Sequence, residues 1–354
     1  MKLLFVIRDV HGWAGTERVL NLIANALADR FEIEILSLSH PSADEAGYPY
    51  RPEVKCSYLP VFLDNIGSIF SNFRIAAYIE HGNYDVVILA GVGEIKYFLI
   101  TALKHQAKLI AWEHFNIAIS SRKFNRRFAA RFCDAIVTLT KQDAADWKRM
   151  LRPRARILQI PNPVPYFPEH SAVLEAKRIL ALGRLEEQKR FDLLLEAFAE
   201  FHKTHQDWML RIRGSGSKED ELRAKIASLG LSNSAELLSP TIDVQSEYRG
   251  ASIYAMSSKF EGFPMTLIEA MAFGVPCASF NCPNGPAEII KNGEDGFIVP
   301  NGDVSALTER LAMLADNEAL RRRMGSRAKE NIRRYEVGQI AKSWTDFLEG
   351  LCAR

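Results

Sequence analysis

Two series of short apolar runs, each alternating with segments of helical periodicity, dominate this chain and leave it few folds to choose from. A strand that leaves a sheet through a helix returns at the same edge, so such alternation specifies parallel sheets covered by helices. In the first half the expected strands are 3–7, 32–38, 85–89, 109–112 and 135–139. A helical pattern at 17–28 lies among them, with Val19, Leu20, Ile23 and Leu27 on one face. The second series has strands expected at 178–182, 208–212, 253–256 and 277–280. Each half opens with a buried strand, a glycine-containing loop and an amphipathic helix, the doubly wound pattern used twice. Between the series, residues 160–168 hold four prolines in nine positions, which can continue neither helix nor strand. The expected architecture is α/β, with two Rossmann-like domains at 1–165 and 166–336 facing a central cleft. A last helix at about 337–354 is expected to pack back on the first domain.

Length and composition agree with two cores: 354 residues, 47% hydrophobic and 25% charged. No apolar run reaches the roughly 18 residues that span a bilayer, and residues 1–7 read as a buried strand rather than a signal segment. Five cysteines without a Cys-x-x-Cys pair indicate neither a disulfide framework nor a zinc site, and a reducing cytoplasm fits them best. Up to residue 165 there are 21 Lys and Arg against 16 Asp and Glu; beyond it there are 24 against 27. That balance argues against nucleic acid as a partner and is compatible with an anionic membrane surface.

The segment 260–274 carries the most chemistry. Pro264 suits a first helical turn, Gly274 suits a C-terminal cap, and Leu267, Ala270 and Met271 form an inward face. A helix starting near Pro264, just past a strand, would present free N–H groups to a phosphate at the sheet's ligand edge. Gly262 permits close backbone approach, Glu269 can accept hydrogen bonds from the vicinal hydroxyls of a ribose, and Glu261 can face a sugar. A second loop, Gly183-Arg184-Leu185-Glu186-Glu187-Gln188-Lys189, leaves a strand on the same sheet edge. Its Arg184 and Lys189 can offer two cations to a bound phosphate group. Gly214 belongs to a Gly-x-Gly turn after another strand. Gly15, ahead of Glu17, opens the first helix of the chain, where Gly-x-Gly-x-x-Gly is absent.

Glu261 and Glu269, with the Pro-Gly setting between them, closely resemble the E-x7-E motif of retaining GT-B glycosyltransferases of family GT4. The Gly183 loop resembles that family's G-R-L-x-x-x-K. The resemblance covers nearly the whole chain and is most specific from Gly183 to Val299. It implies that Glu269 binds the donor ribose and that Glu261 lies by the donor sugar. The backbone of Gly262, Phe263, Pro264, Met265, Thr266 and Leu267 is then expected to hold the diphosphate. Asn284 and Gly285 are expected to touch the donor sugar, and His114, at the end of a first-half strand, is expected to contact it too. Ser215 and Ala14 depart from the family's usual glycine-rich loops.

The function so implied is transfer of a sugar, with retention, from a nucleotide diphosphate donor to a glycan or lipid-linked acceptor in bacterial surface polysaccharide synthesis. UDP-sugars are favoured and GDP-sugars are allowed, with no cofactor and no metal. A covalent carboxylate intermediate and front-face attack both remain open from the residues, and the resemblance implies the second. Alternatives are another GT-B enzyme, such as a sugar-nucleotide epimerase or a phosphorylase, and a non-catalytic sugar-nucleotide-binding protein. Arg122, Lys123, Arg126, Arg127 and Arg131 form a basic amphipathic pattern suited to anionic headgroups at the inner face of the cytoplasmic membrane or to an acceptor's pyrophosphate, or else to a solvated helix face. Phe62, Ile66, Ile69, Phe70 and Phe73 are expected to pack in the core, or else to line an acceptor or lipid-facing groove.

Overall fold

The computed structural model describes residues 1–40, 47–61, 65–104, 107–117 and 123–353. The chain forms two compact units, one of Met1–Pro165 with Val337–Arg354, the other of Tyr166–Glu336. In the first, β1 (Lys2–Ile7), α1 (Gly15–Leu27), β2 (Glu32–Ser37), β3 (Lys55–Tyr58) and α2 (Asn65–Gly82) lead to β4 (Val86–Leu89). A 3-10 segment (Val92–Tyr97) and α3 (Leu99–Lys104) follow. Then come β5 (Lys108–Trp112), α4 (Lys123–Phe132), β6 (Ala135–Thr138), α5 (Lys141–Leu151) and β7 (Arg156–Gln159). The second unit starts with β8 (Arg178–Leu182), a 3-10 turn (Glu187–Lys189), α6 (Phe191–His202), β9 (Met209–Arg213), α7 (Glu219–Ser228) and β10 (Ala235–Leu238). It continues through α8 (Val244–Arg249), β11 (Ile253–Met256), α9 (Met265–Ala272), β12 (Cys277–Phe280), α10 (Pro286–Ile289) and β13 (Gly296–Val299). After α11 (Val304–Asp316) and α12 (Glu318–Ile332), α13 (Val337–Cys352) rejoins the first unit.

Both sheets are parallel throughout, with strand orders β3-β2-β1-β4-β5-β6-β7 and β10-β9-β8-β11-β12-β13. Each order reverses once, beside β1 and beside β8. These are the switch points where a doubly wound sheet opens a crevice at its C-terminal edge. The central strands are buried on both faces, as Leu3 to Val6 and Ile179 to Ala181 show. β3 and β7 close the edges of the first sheet with half-exposed sequences and no continuous apolar run, so the strands expected from sequence did not include them.

The α2 helix corrects the expectation that its apolar residues pack inward. Ile75, Ala76 and Ile79 do enter the core, but the inward positions one turn before them are the polar Ser71 and Asn72. The Asn72 amide donates to Lys96 O (2.9 Å) and accepts from Leu99 N (2.8 Å), tying the helix to the 3-10 segment and α3. Ile69, Phe70 and Phe73 face outward, 60%, 61% and 62% exposed. Phe62 and the Ile66 side chain lie outside the described residues.

On the first unit, α13 packs beside α1 and seats Trp344, fully buried, edge-on against Trp112 at 5.0 Å between centroids. Arg30 pairs with Glu349 across the same seam (2.8 Å). Trp344→Ala removes the largest side chain of that contact. It is expected to cost about 3–5 kcal/mol in denaturant unfolding of this unit, and a loss within error of zero would show that α13 contributes nothing to its core.

Candidate active site

Three strands of the second sheet, β8, β11 and β12, deliver their following loops to one C-terminal edge. The loop after β8 is laid over its neighbours by glycine. An ideal Cβ on Gly214 would sit 1.8 Å from Gly183 O, so the turn after β9 can lie this close only without a side chain. The Gly214 N–H donates to Leu238 O (2.9 Å), which makes close packing the contribution of this glycine. Lys189, at the end of the 3-10 turn, folds its stem back over Gly183 and places Nζ 2.7 Å from Glu261 Oε1. Both side chains are largely buried. An ammonium has three protons, so one on Glu261 leaves others for a second anionic oxygen. Arg184 is exposed and donates to Gln188 Oε1 (3.1 Å).

Residues that sequence reasoning passed over stitch these loops together. Gln188 Nε2 donates to Phe260 O (2.9 Å), Lys259 N donates to Gln188 O (2.7 Å), and Ser257 Oγ donates to Lys189 O (2.8 Å). Gln188 and Ser257 carry no motif of their own, and only their partners reveal them.

Pro264 caps α9 rather than opening its first turn. The Leu267 N–H donates to Pro264 O (3.1 Å) and its side chain is fully buried, so Leu267 builds the helix, and Pro264 has no N–H to offer. Gly262, Phe263, Met265 and Thr266 supply the N–H groups around the helix start, where a helix leaves its first donors without internal partners. Gly285, in the loop after β12, has φ +141°, and a Cβ there would meet Pro264 Cδ at 2.4 Å. Asn284 beside it is buried with φ +60°. Glu261 N donates to Pro283 O (3.2 Å), which binds this loop to the same edge. Glu269 is buried one turn into α9, and its Oε2 accepts from Tyr248 Oη at 2.8 Å.

In the first unit, Gly15 starts α1 in open surroundings, and burial raises the pKa of Glu17 next to it. His114 follows β5 and lies 4.6 Å from the Trp112 ring. Burial lowers its pKa from 6.5 to about 3, so the ring is a neutral hydrogen-bonding group and not a cation. Arg126 requires a correction. It is 2% exposed and cannot meet a membrane. Its Nε donates to Glu113 Oε2 (2.9 Å), and its Nη atoms donate to the carbonyls of Phe115, Asn116 and Ile117. Asp143, whose pKa burial raises to about 7, accepts from Ile117 N (2.9 Å). Together they fix the loop that carries His114. Lys123, Arg127 and Arg131 are exposed on α4, and Arg122 lies outside the described residues.

Because His114 folds neutral, its contribution to stability is full above the unfolded pKa and is lost as pH falls from 6.5 toward 3. The slope is at most ~1.4 kcal/mol per pH unit. His114→Asn is expected to lose less stability than the parent chain between about pH 7 and pH 5, read from urea midpoints. Equal losses would contradict a buried neutral imidazole.

Residues 13–166 match the family "Glycosyltransferase Family 4" and residues 166–331 match "Glycosyl transferases group 1". An uncharacterized glycosyltransferase of Haemophilus influenzae is 30% identical, covering 98% of this chain and 99% of its own. The Campylobacter jejuni GalNAc-alpha-(1->4)-GalNAc-alpha-(1->3)-diNAcBac-PP-undecaprenol alpha-1,4-N-acetyl-D-galactosaminyltransferase is 29% identical over 98% of both chains. Among solved structures, a variant of S. aureus TarM in complex with Fondaparinux, alpha-GlcNAc-glycerol and UDP superposes with a TM-score of 0.83. It is 15% identical and covers all of both chains. With two all-parallel Rossmann-like units and both halves matched, the chain belongs to the GT-B glycosyltransferases that pair a Family 4 first half with a group 1 second half.

Proposed function

We propose that this glycosyltransferase moves a sugar, with retention and without a divalent metal, from a nucleoside diphosphate donor to a glycan or lipid-linked acceptor of a bacterial surface polysaccharide. The observation that carries the reading is the Lys189–Glu261 pair, set between the Gly183 loop and the start of α9. Lys189 and Arg184 balance the charge of the departing diphosphate, and the amides of Gly262, Phe263, Met265 and Thr266 hold its oxygens. Glu269 receives the ribose hydroxyls, Glu261 faces the sugar, and Asn284 and Gly285 border it. In front-face attack the acceptor oxygen bonds to the anomeric carbon as the bond to the diphosphate breaks. The acceptor's proton passes to a phosphate oxygen, so the protein needs to orient and stabilise rather than to form a covalent bond. UDP is the favoured nucleotide, in keeping with the UDP in the TarM complex. The Campylobacter relative's name supports a polyprenol-linked acceptor.

Transfer from a UDP-sugar is expected to persist in excess EDTA. Lys189→Ala is expected to lower kcat by ~10²–10³, as loss of an oxyanion donor does. Since Lys189→Ala also strands a buried carboxylate, adding Glu261→Gln should recover thermal stability without recovering turnover. Strict dependence on magnesium or manganese, or near-normal turnover of Lys189→Ala, would refute the reading.

A membrane-side acceptor is supported by α2 and α4, which pack on the same 3-10 segment. Outward apolar side chains on α2 and the 69% exposed Phe124 on α4 accompany the exposed cations Lys123, Arg127 and Arg131. We assign this face to the inner surface of the cytoplasmic membrane. Binding to phosphatidylglycerol vesicles is expected to fall by roughly tenfold or more in Phe70→Ser/Phe73→Ser, given about 1.5–3 kcal/mol for each buried apolar side chain. Equal sedimentation of parent and variant would refute the assignment.

A further inference from the structure

Glu269 is held by a second element whose sequence carries no family motif. Tyr248, on α8, is fully buried. Its ring stacks on Phe273, at the end of α9, with 5.3 Å between centroids. Its hydroxyl donates to Glu269 Oε2 at 2.8 Å and lies 3.3 Å from Thr266 O, while Tyr254 Oη donates to Thr266 Oγ1 at 2.7 Å. A buried tyrosine hydroxyl needs an acceptor, and a carboxylate is acceptor only, so this bond sets the rotation of the Glu269 head.

The helix that supplies Tyr248 is itself anchored. Its neighbour Glu247 is buried and receives Arg211 Nη1 at 3.2 Å and Arg213 Nη2 at 3.0 Å, both from β9. Arg211 also pairs with Glu236 (2.7 Å), its register partner on β10, and Arg213 Nη1 donates to Ser239 O (2.6 Å). Two arginines of one strand therefore fix the helix through one carboxylate, and the next residue along fixes the carboxylate of α9. The route from sheet to Glu269 passes through charge-assisted, directional bonds, from half-buried arginines to the buried Glu247, Tyr248 and Glu269.

We propose that Tyr248 is a positioning residue for the donor ribose. It turns Glu269 so that the carboxylate accepts from the adjacent 2′- and 3′-hydroxyls together, and the Glu247–Arg211–Arg213 cluster keeps it there. The proposal rests on the reading of Glu269 as the ribose acceptor. It makes preference for a ribonucleotide over a deoxyribonucleotide a property of Tyr248 as well as of Glu269.

The test is calorimetric titration of the full chain with UDP and GDP, each beside its 2′-deoxy form, for the parent, Tyr248→Phe and Glu269→Gln. With whichever nucleotide binds, Tyr248→Phe is expected to weaken the ribose form about tenfold and the 2′-deoxy form less than about twofold, as loss of a hydrogen bond to a charged group would. The ratio of the two affinities within one variant does not depend on how much of the sample is folded. Equal weakening of both forms would make Tyr248 structural only and overturn the proposal. So would unchanged ribonucleotide binding in Tyr248→Phe while Glu269→Gln loses its 2′-hydroxyl preference. If Glu269→Gln keeps that preference, the ribose reading of Glu269 falls, and the role of Tyr248 with it.

Discussion

Parallel pairing is the constraint from which the rest of this molecule follows. Every strand in both sheets must be left by a crossover, so the loops that depart from strand ends collect along one edge, and at the switch strand they part. β8 occupies that position in the second sheet, between β9 and β11. The Gly183 loop and the segment leading into α9 therefore start as neighbours before any side chain is chosen. Gly214 then lets its backbone lie against that of Gly183, Gly183 leaves room for the Lys189 stem, and Gln188, Ser257 and Glu261 lace the loops with hydrogen bonds.

The ion pair of Lys189 and Glu261 lies where this geometry concentrates dipoles and cations. Two opposite charges taken largely out of water hold each other in place, yet such a pair adds little net stability over an apolar equivalent. Its presence is better understood through chemistry than through folding. His114 shows the opposite tactic. Its imidazole is buried beside Trp112 and stays neutral, while the charge pair that holds its loop is Arg126 with Glu113.

What sequence alone makes legible here depends on periodicity. Strands buried on both faces, such as β1, β4 and β8, write continuous apolar runs, and the segment around Pro264 carries its own punctuation of proline, glycine and acid. The edge strands Lys55–Tyr58 and Arg156–Gln159 write no such run because half of each faces water. Composition misled at Arg126, where a cluster of arginines suggested a solvated face. Spacing held the better signal: Arg126 shares the i+3 and i+4 face of Ala129 and Ala130, which are buried. Asn72 inverted the pattern on α2, because a polar side chain with two backbone partners can hold an inward position. The Tyr248–Glu269 bond joins residues 21 apart through two helices, and no local rule encodes it.

The return of α13 to the first unit bears on how the chain comes off the ribosome. All of β8 through α12 is synthesised before the helix that covers Trp112 exists. The second unit, though later in the chain than β1 to β7, has its full complement of residues first, reversing the usual order in which the leading domain finishes ahead of the trailing one. Until α13 has been made, the first sheet waits with its aromatic seam open, and that seam closes only after the second unit has been synthesised.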